Sequence, residues 1–235
     1  MRFPALLAIV VAAVSPAVAQ ENEAQRLKAC IEKIDTDAAA AYQDALTWMG
    51  KGNRPAARHC AALSLVEMGQ PAQGAARLEE LANAADAGAL EARAIYLAQS
   101  GNAWLVAKNP EAAIVTLTNA IKLAPGDAAL YKDRARASLM LKQWDDAGED
   151  LNTAVRLSPG DGEAFRLRAL ALLKLERFQD AWADVELALK FSPKDVDAVV
   201  LRGDIREAMR KKGLNDPAGY DDGPEVRSPV VVGNQ

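Results

Sequence analysis

Three stretches of the chain share one pattern and end on the same proline. Residues 119–127 read NAIKLAPGD, residues 153–161 read TAVRLSPGD, and residues 187–195 read LALKFSPKD. Their prolines, Pro125, Pro159 and Pro193, follow one another at intervals of 34 residues. A fixed period of this length is typical of an array of helical units that stack on their neighbours. The pattern therefore predicts an all-α chain of stacked antiparallel helix hairpins.

Each period holds two helical stretches with a defined apolar face. In the second stretch a small residue, a larger apolar residue and another small residue follow at intervals of four and three, which places them on one helical face. The sets are Ala113, Leu117 and Ala120; Ala147, Leu151 and Ala154; Ala181, Val185 and Ala188. Small residues at these positions predict closely packed helices. An aspartate, Asp127, Asp161 or Asp195, stands two residues after each proline and is placed to cap the next helix.

This pattern resembles that of the tetratricopeptide-repeat (TPR) family. In that family a large and a small residue lie four positions apart on the first helix, and the second helix carries the small–large–small face before a proline. Here the first-helix pairs are Leu97 and Gly101, Tyr131 and Ala135, and Phe165 and Ala169. The resemblance covers three repeats, 94–127, 128–161 and 162–195. It implies a right-handed superhelical α-solenoid used for binding, without naming the partner.

Weaker copies of the pattern flank these repeats. Residues 20–93 are interpreted as degenerate N-terminal helical repeats, because Ala38, Tyr42 and Ala45 keep the second-helix spacing, as do Gly74, Leu78 and Leu81. Residues 196–212 are predicted to form a capping helix. Residues 213–235 are rich in Gly, Pro and Asp and are predicted to be a disordered tail, within which residues 230–232 are either a short docking segment or plain tail.

The N-terminus predicts export. Residues 3–18 carry no charge and end on Ala17-Val18-Ala19, which indicates a signal peptide over residues 1–19. An uncleaved membrane anchor is the alternative, although the run is shorter than the ~20 residues that span a bilayer. We expect the mature protein in the periplasm or secreted, without membrane insertion. The net charge of −4 gives no drive toward nucleic acid.

The two cysteines, Cys30 and Cys60, are predicted to form a disulfide, as an even pair in an exported chain usually does. The repeat register supports this pairing, because it places them on successive first helices. Two buried free thiols, or a redox or metal pair, remain alternatives. The chain has no C-x-x-C and one histidine, so ligands for a zinc site are lacking and no metal or cofactor is expected.

Catalytic patterns are lacking in the sequence, and we expect no enzyme. His59 lies beside Cys60, but adjacent helical residues point about 100° apart, so this pair is a poor candidate for a thiolate nucleophile. His59 is interpreted as a surface or half-buried residue. The neighbouring carboxylates at 145–146 and 149–150 are interpreted as helix-start and solvated charges.

The family resemblance implies a concave groove lined by first helices. The groove residues that it implies are Asn102, Leu105, Lys132, Arg136, Leu139, Met140, Arg166, Leu170 and Lys174. They suggest an apolar floor with a basic stripe, suited to a peptide with apolar anchors and an acidic group or a C-terminal carboxylate. Ordinary solvated charges are the alternative interpretation.

One subclass of the family clamps the acidic tails of chaperones with five polar residues. Asn102 matches one clamp position, but Ala98, Asp133, Glu163 and Leu167 stand at the other four. A chaperone-tail adaptor is therefore not expected.

The functional hypothesis is a non-enzymatic interaction module in the periplasm, acting as adaptor, scaffold or assembly factor of an envelope complex. The alternative is a structural subunit that associates through its helical end faces or with copies of itself. Exposure of Val199, Val200 and Ile205 on the capping helix would favour the alternative.

Overall fold

The computed structural model describes residues 16–215, with side chains from residue 22 onward. Regular structure in this part of the chain is helical throughout, with ten α-helices and no strand, which confirms the all-α prediction. The helices are α1 Pro16–Met49, α2 Pro55–Glu67, α3 Pro71–Asn83, α4 Leu90–Val106, α5 Pro110–Leu123, α6 Ala128–Met140, α7 Trp144–Leu157, α8 Gly162–Lys174, α9 Phe178–Phe191 and α10 Val196–Lys211.

The described residues form two compact units, residues 16–125 and 126–215. The first unit holds α1–α5 and the second holds α6–α10. In the second unit, α6 packs on α7, α8 packs on α9, and α10 packs on α8 and α9.

The helix ends of the second unit follow from its proline and aspartate residues. Ser158 and Ser192, which precede prolines, have φ of −132° and −130° and ψ of 81° and 74°, so each ends its helix. Asp161 Oδ1 then accepts a hydrogen bond from the Ala164 backbone N–H at 3.1 Å. Asp195 does the same from Ala198 at 3.0 Å. These contacts confirm the predicted caps.

The predicted second-helix faces form the core of both units. All nine residues of the small–large–small sets are almost completely buried. A close helix-to-helix contact is at Gly101 on α4, where a Cβ would lie 2.5 Å from Leu117 Cγ on α5. Only glycine allows the two helices to approach this closely.

Helix α1 is bent into a hairpin at a single residue. Asp37 has non-helical φ and ψ of −154° and 82°, and its Oδ1 caps the returning arm through the Ala40 N–H at 2.9 Å. The two arms lie against each other, since Lys33 Nζ is 2.6 Å from Asp44 Oδ2. Helix α1, at the start of the region interpreted as degenerate repeats, is therefore a pair of antiparallel helices joined at Asp37.

The disulfide prediction is confirmed. Cys30 on the first arm of α1 is bonded to Cys60 on α2, with their Cα atoms 6.0 Å apart. Both cysteines are used in this bond, which removes the free-thiol and metal-pair alternatives. The bridge lies in an apolar cluster with Ile34, Ala41 and Trp48.

The two ends of the chain carry predictions that the structure covers only in part. Of the predicted signal peptide, residues 1–15 lie outside the described residues, and residues 16–19 begin α1. Residues 216–235, including the valines at 230–232, also lie outside them. Within residues 16–215, no helix is both long enough and apolar enough to cross a membrane.

Candidate protein-binding surface

Seven of the nine predicted groove residues lie on α6 and α8 of the second unit, and we call these seven the first-helix face. They are Lys132, Arg136, Leu139 and Met140 on α6, and Arg166, Leu170 and Lys174 on α8. The two helices are in contact. The other two predicted residues, Asn102 and Leu105, lie half-buried on α4 of the first unit.

The cations of α6 are held by acidic residues of α6 itself and of the following repeat. Lys132 Nζ lies 2.7 Å from Asp161 Oδ2 and 3.1 Å from Glu163 Oε2. Arg136 donates to Glu163 Oε1 at 2.5 Å and also pairs with Asp133. Glu163 therefore bridges both cations and ties α6 to the start of α8.

Arg166 on α8 extends this network to α10. Its Nε donates to Asp195 Oδ2 at 3.0 Å, and its other nitrogens lie 3.7 Å from Glu163 and from Asp197. Asp161 and Asp195 each use one oxygen to cap a helix and the other to bind a cation 29 residues earlier. Capping and helix-to-helix bridging are thus done by the same side chains.

The prediction that Lys132, Arg136 and Arg166 form an open basic stripe is wrong, because carboxylates already hold these cations. Three cations of the first-helix face, Lys132, Arg136 and Arg166, share five carboxylates, which are Asp133, Asp161, Glu163, Asp195 and Asp197. The sequence showed Lys132 and Arg166 one period apart, but their partners Asp161 and Asp195 lie 29 residues downstream. The surface presents a paired network with an excess of negative charge.

The network shifts the pKa values of Lys132, Arg136 and Glu163. Burial alone would lower the pKa of Lys132, but hydrogen bonds to Asp161 and Glu163 outweigh burial and raise it. Burial would likewise raise the pKa of Glu163, but its bonds with Arg136 and Lys132 outweigh burial and lower it. Both shifts favour the charged forms of Lys132 and Glu163, so their ion pair is a fixed feature of the surface at neutral pH.

The apolar part of the first-helix face is small. Leu139 and Leu170 are half-buried, each against the core cluster of its own repeat. Met140 is the large apolar residue that reaches solvent, with 47 % of its surface exposed. Lys174 is exposed at the end of α8. A ligand on this face therefore meets Met140 beside a line of ion pairs.

Two further ion pairs, one inside each hairpin, were not predicted. Arg134 donates two hydrogen bonds to Asp150, at 2.8 and 2.6 Å, and Arg168 donates two to Asp184, at 2.7 and 2.8 Å. Both carboxylates are buried, which corrects the interpretation of Asp150 as a solvated charge. The signal was available, because both members recur after one period of 34 residues.

The first unit has different buried polar contacts. Glu79 Oε1 on α3 accepts a hydrogen bond from Trp104 Nε1 at 2.8 Å and from the hydroxyl groups of Ser100 and Thr116. One carboxylate oxygen thus joins α3 to α4 and α5. Ser100 and Thr116 stand one period before Arg134 and Asp150, so the ion pair of the later repeats is replaced here by two hydroxyl groups and an acid from α3.

His59 is buried, contrary to the prediction of a surface or half-buried residue. Its Nε2 donates to Gln99 Oε1 at 2.5 Å, and its ring meets the Tyr96 ring edge-on at 4.9 Å. Burial lowers the pKa of His59, and the bond to Gln99 opposes this only in part. The neighbouring Cys60 sulfur is in the disulfide, so a thiolate–imidazole pair does not exist.

Two further sequence predictions concern a metal site and the exposed residues of the capping helix. Within residues 16–215 there is no cluster of His, Cys, Asp and Glu that could hold a metal ion. On α10, Val199 and Val200 are exposed, whereas Ile205 is fully buried in the core. The exposure that would favour the structural-subunit alternative is thus present at the two valines and absent at the isoleucine.

The comparisons with known proteins agree with this architecture of paired helices. Residues 105–171 match the family model described as tetratricopeptide repeat. The first TPR domain of the human RPAP3 protein is 28 % identical, covering 51 % of this chain and 94 % of that one, with a TM-score of 0.50. No curated protein sequence matched the chain.

Two other solved structures share the fold at lower identity. MamA is 20 % identical, with a TM-score of 0.60 over 69 % of this chain and 93 % of that one. The thermophilic TPR protein TTC0263 of Thermus thermophilus is also 20 % identical, with a TM-score of 0.55 over 78 % of this chain and 98 % of that one.

The fold is thus an α-solenoid of short helix hairpins. Residues 105–171 thus match the tetratricopeptide-repeat family, and the helix hairpins of the described residues share the fold of solved TPR structures. This family consists of non-enzymatic protein-interaction modules, in agreement with the expectation that the chain is not an enzyme.

Proposed function

We propose that this protein is an adaptor or assembly factor that binds a protein segment on the first-helix face of its second unit. The observation that carries the proposal is the exposed Met140 beside ion pairs that are already formed. A surface whose charged groups are held in place loses little side-chain entropy on binding. An apolar residue next to fixed charged groups is suited to a peptide that carries an apolar side chain close to a charged one.

The excess of carboxylates defines the expected ligand. An acidic peptide would have to compete with Asp161, Glu163 and Asp195 for cations that those residues already hold. Asp197 lies 3.7 Å from Arg166 and its side chain is 78 % exposed, so it remains accessible to a basic group. We therefore propose a ligand segment with an apolar anchor for Met140 and at least one Lys or Arg side chain.

We also propose that the protein acts in the periplasm after cleavage of residues 1–19. The disulfide between the two cysteines supports an oxidising compartment. The uncharged N-terminal run and its Ala-Val-Ala end support export. Cell fractionation followed by N-terminal sequencing tests this. We expect a periplasmic protein beginning at Gln20, and a cytoplasmic protein that keeps residues 1–19 would refute it.

The binding proposal is tested by affinity capture from an envelope extract, followed by titration of the purified partner. The variant Met140→Glu replaces the apolar anchor by a charged group and removes no member of the ion pairs. Its matched control is Val115→Glu, an exposed valine on α5 of the first unit. We expect Met140→Glu to weaken partner binding at least ~10-fold and Val115→Glu to leave it unchanged. Equal affinities of both variants and the wild type would refute binding at this face.

The charge of the ligand is tested separately with a peptide panel. Peptides of one apolar sequence flanked by Lys, by Glu or by Gln are compared by fluorescence anisotropy. We expect the Lys-flanked peptides to bind most tightly and to weaken as salt is raised. Tighter binding of the Glu-flanked peptides would restore the acidic ligand that the sequence alone suggested.

A further inference from the structure

The hairpin of α2 and α3 has no counterpart of the arginine–aspartate pair found in the hairpins of the second unit. The turn between α2 and α3 has the same length as the turns between α6 and α7 and between α8 and α9. Ala61 on α2 therefore stands at the position that Arg168 holds on α8. Arg77 on α3 stands at the position that Asp184 holds on α9. The α2–α3 hairpin thus has an arginine where the others have their carboxylate, and a small residue where they have their arginine.

A cleft of about 280 Å³ lies at this position, between the returning arm of α1, α2 and α3. Its floor is apolar, because Ala61, Leu65 and Leu81 line it and are buried. Leu46 on α1 lines the cleft as well and is 40 % exposed. The volume is near the lower end of the range of ligand pockets, ~300 Å³, so the cleft accommodates one large side chain.

Two arginine side chains, Arg58 and Arg77, line the cleft beside this apolar floor. Arg58 is held in place by Asp86, whose two carboxylate oxygens each lie 2.6 Å from Arg58 Nη2. Its Nε is buried and has no hydrogen-bond partner within the part of the chain that the structure describes. Buried donors in folded proteins are nearly always paired. The unpaired Nε–H therefore indicates an acceptor that a bound group would supply.

The second arginine is weakly held by its own chain. Arg77 Nη1 lies 3.5 Å from Glu80 Oε2, and the two side chains are 63 % and 69 % exposed. An exposed pair of this kind contributes little free energy, so a carboxylate from another molecule can replace Glu80. Lys132 differs in this respect, because two carboxylates hold it at 2.7 and 3.1 Å.

We propose that this cleft binds a segment of another protein through one large apolar side chain and a neighbouring Asp or Glu. The apolar side chain fills the space above Ala61, where the hairpins of the second unit hold an arginine side chain. The carboxylate is held by Arg77 and Arg58, in the kind of charge-assisted contact that Arg168 makes with Asp184. This site lies in the first unit and takes an acidic segment, so it is independent of the function proposed for the first-helix face.

Fluorescence anisotropy of the full chain with short labelled peptides tests the proposal. The peptides have blocked ends and carry a leucine adjacent to Glu, to Gln or to Lys. We expect the Glu peptide to bind, and the Gln and Lys peptides to bind at least ~10-fold more weakly, because only a carboxylate can pair with Arg77. Equal binding of the Glu and Gln peptides, or no binding of the Glu peptide at ~1 mM, would overturn the proposal.

The variant Arg77→Asp should reverse the charge preference of the cleft. We expect it to weaken the Glu peptide at least ~10-fold and to make the Lys peptide the tighter ligand. The matched control is Arg177→Asp, since Arg177 is similarly exposed and also pairs with an acidic residue three positions later. A purely structural role of Arg77 would not bring about binding of the Lys peptide. An unchanged preference in Arg77→Asp would overturn the proposal.

Two further variants and two small ligands test the apolar part of the site and its occupant. Leu46→Ser should weaken the Glu peptide without changing its charge preference, because it removes part of the apolar wall. Met140→Glu should leave the Glu peptide unaffected, so this proposal and the binding proposal fail separately. If leucine or octanoate binds in an Arg77-dependent way and the blocked peptides do not, the protein segment is overturned and the cleft is assigned to small apolar carboxylates.

Discussion

The two units are built from the same helix hairpin but are held together by different chemistry. In the second unit a buried arginine–aspartate pair recurs in each hairpin, as Arg134 with Asp150 and Arg168 with Asp184. In the first unit a disulfide joins α1 to α2, and the single carboxylate of Glu79 joins α3 to its two successors. Regular repeats reuse one contact, whereas the degenerate repeats rely on contacts that occur once.

This difference explains how the degenerate repeats of residues 20–93 have lost the pattern and kept the helix pairing. A hairpin that lacks the recurrent ion pair keeps its partner helix only if another contact supplies comparable free energy. The disulfide does so mainly by restricting the unfolded chain. We therefore expect the two units to respond differently to reductant, to single substitutions and to acid.

The largest expected effect is that of breaking the disulfide. Reduction, or the paired change Cys30→Ser with Cys60→Ser, should lower the free energy of unfolding of the first unit by about 3–4 kcal/mol, since the loop closes about 30 residues. Hydrogen exchange should accelerate in residues 22–83 and stay unchanged in residues 126–215. Equal acceleration in both units, or none, would contradict the assignment of the bridge to the first unit.

The next effect concerns the recurrent ion pair. Asp184→Ala should cost the second unit about 2–3 kcal/mol, because it leaves Arg168 without its bidentate partner in a largely buried site. The matched control is Asp180→Ala, which removes the exposed pair with Arg177 and should cost less than about 1 kcal/mol. Urea unfolding of both variants measures the difference. Similar costs would show that the buried pair has no special role.

A somewhat smaller effect is expected at Glu79. Glu79→Ala leaves the donors of Trp104 and Thr116 without their acceptor and should destabilise the first unit by about 2 kcal/mol. Glu79→Gln keeps an acceptor oxygen and should cost less than half as much. Thermal unfolding of the two variants tests this order. If Glu79→Gln is as damaging as Glu79→Ala, the negative charge rather than the acceptor matters.

The smallest effect is a difference in acid sensitivity. The folded pKa of His59 lies below its ordinary value of 6.5, so the unfolded chain binds more protons, and the first unit should lose stability as pH falls below about 6.5. The folded pKa of Glu163 lies below 4.5, so its contribution to the second unit should persist to about pH 4.5 and decline only below that. The free energies of unfolding of the wild type and of His59→Leu, measured between pH 8 and pH 4, test this. A first unit equally sensitive in that variant would contradict the role of His59.

The sequence predicted the fold because its signals are local and recur. Pro159 and Pro193 mark helix ends, Asp161 and Asp195 mark helix starts, and the small–large–small face marks what is buried. The disulfide could be predicted as well, since the repeat register placed Cys30 and Cys60 on neighbouring helices.

The electrostatics of the candidate surface could not be predicted in the same way. Lys132 and Arg166 appeared as part of a basic stripe because their partners Asp161 and Asp195 lie 29 residues downstream, at the start of the next first helix. Pairing across repeats depends on which helical faces meet, and a helical wheel of one repeat does not contain this information. Similarly, the one-residue bend at Asp37 has no Pro or Gly to signal it.

The central claim of this account is that a partner contacts the first-helix face of the second unit. A photo-crosslinking amino acid at position 140 tests it most directly, with the same residue at position 115 as the control. We predict that ultraviolet irradiation of the partner complex gives a crosslink from position 140 and none from position 115. A crosslink from position 115, with none from position 140, would contradict the claim and move the binding surface to the first unit.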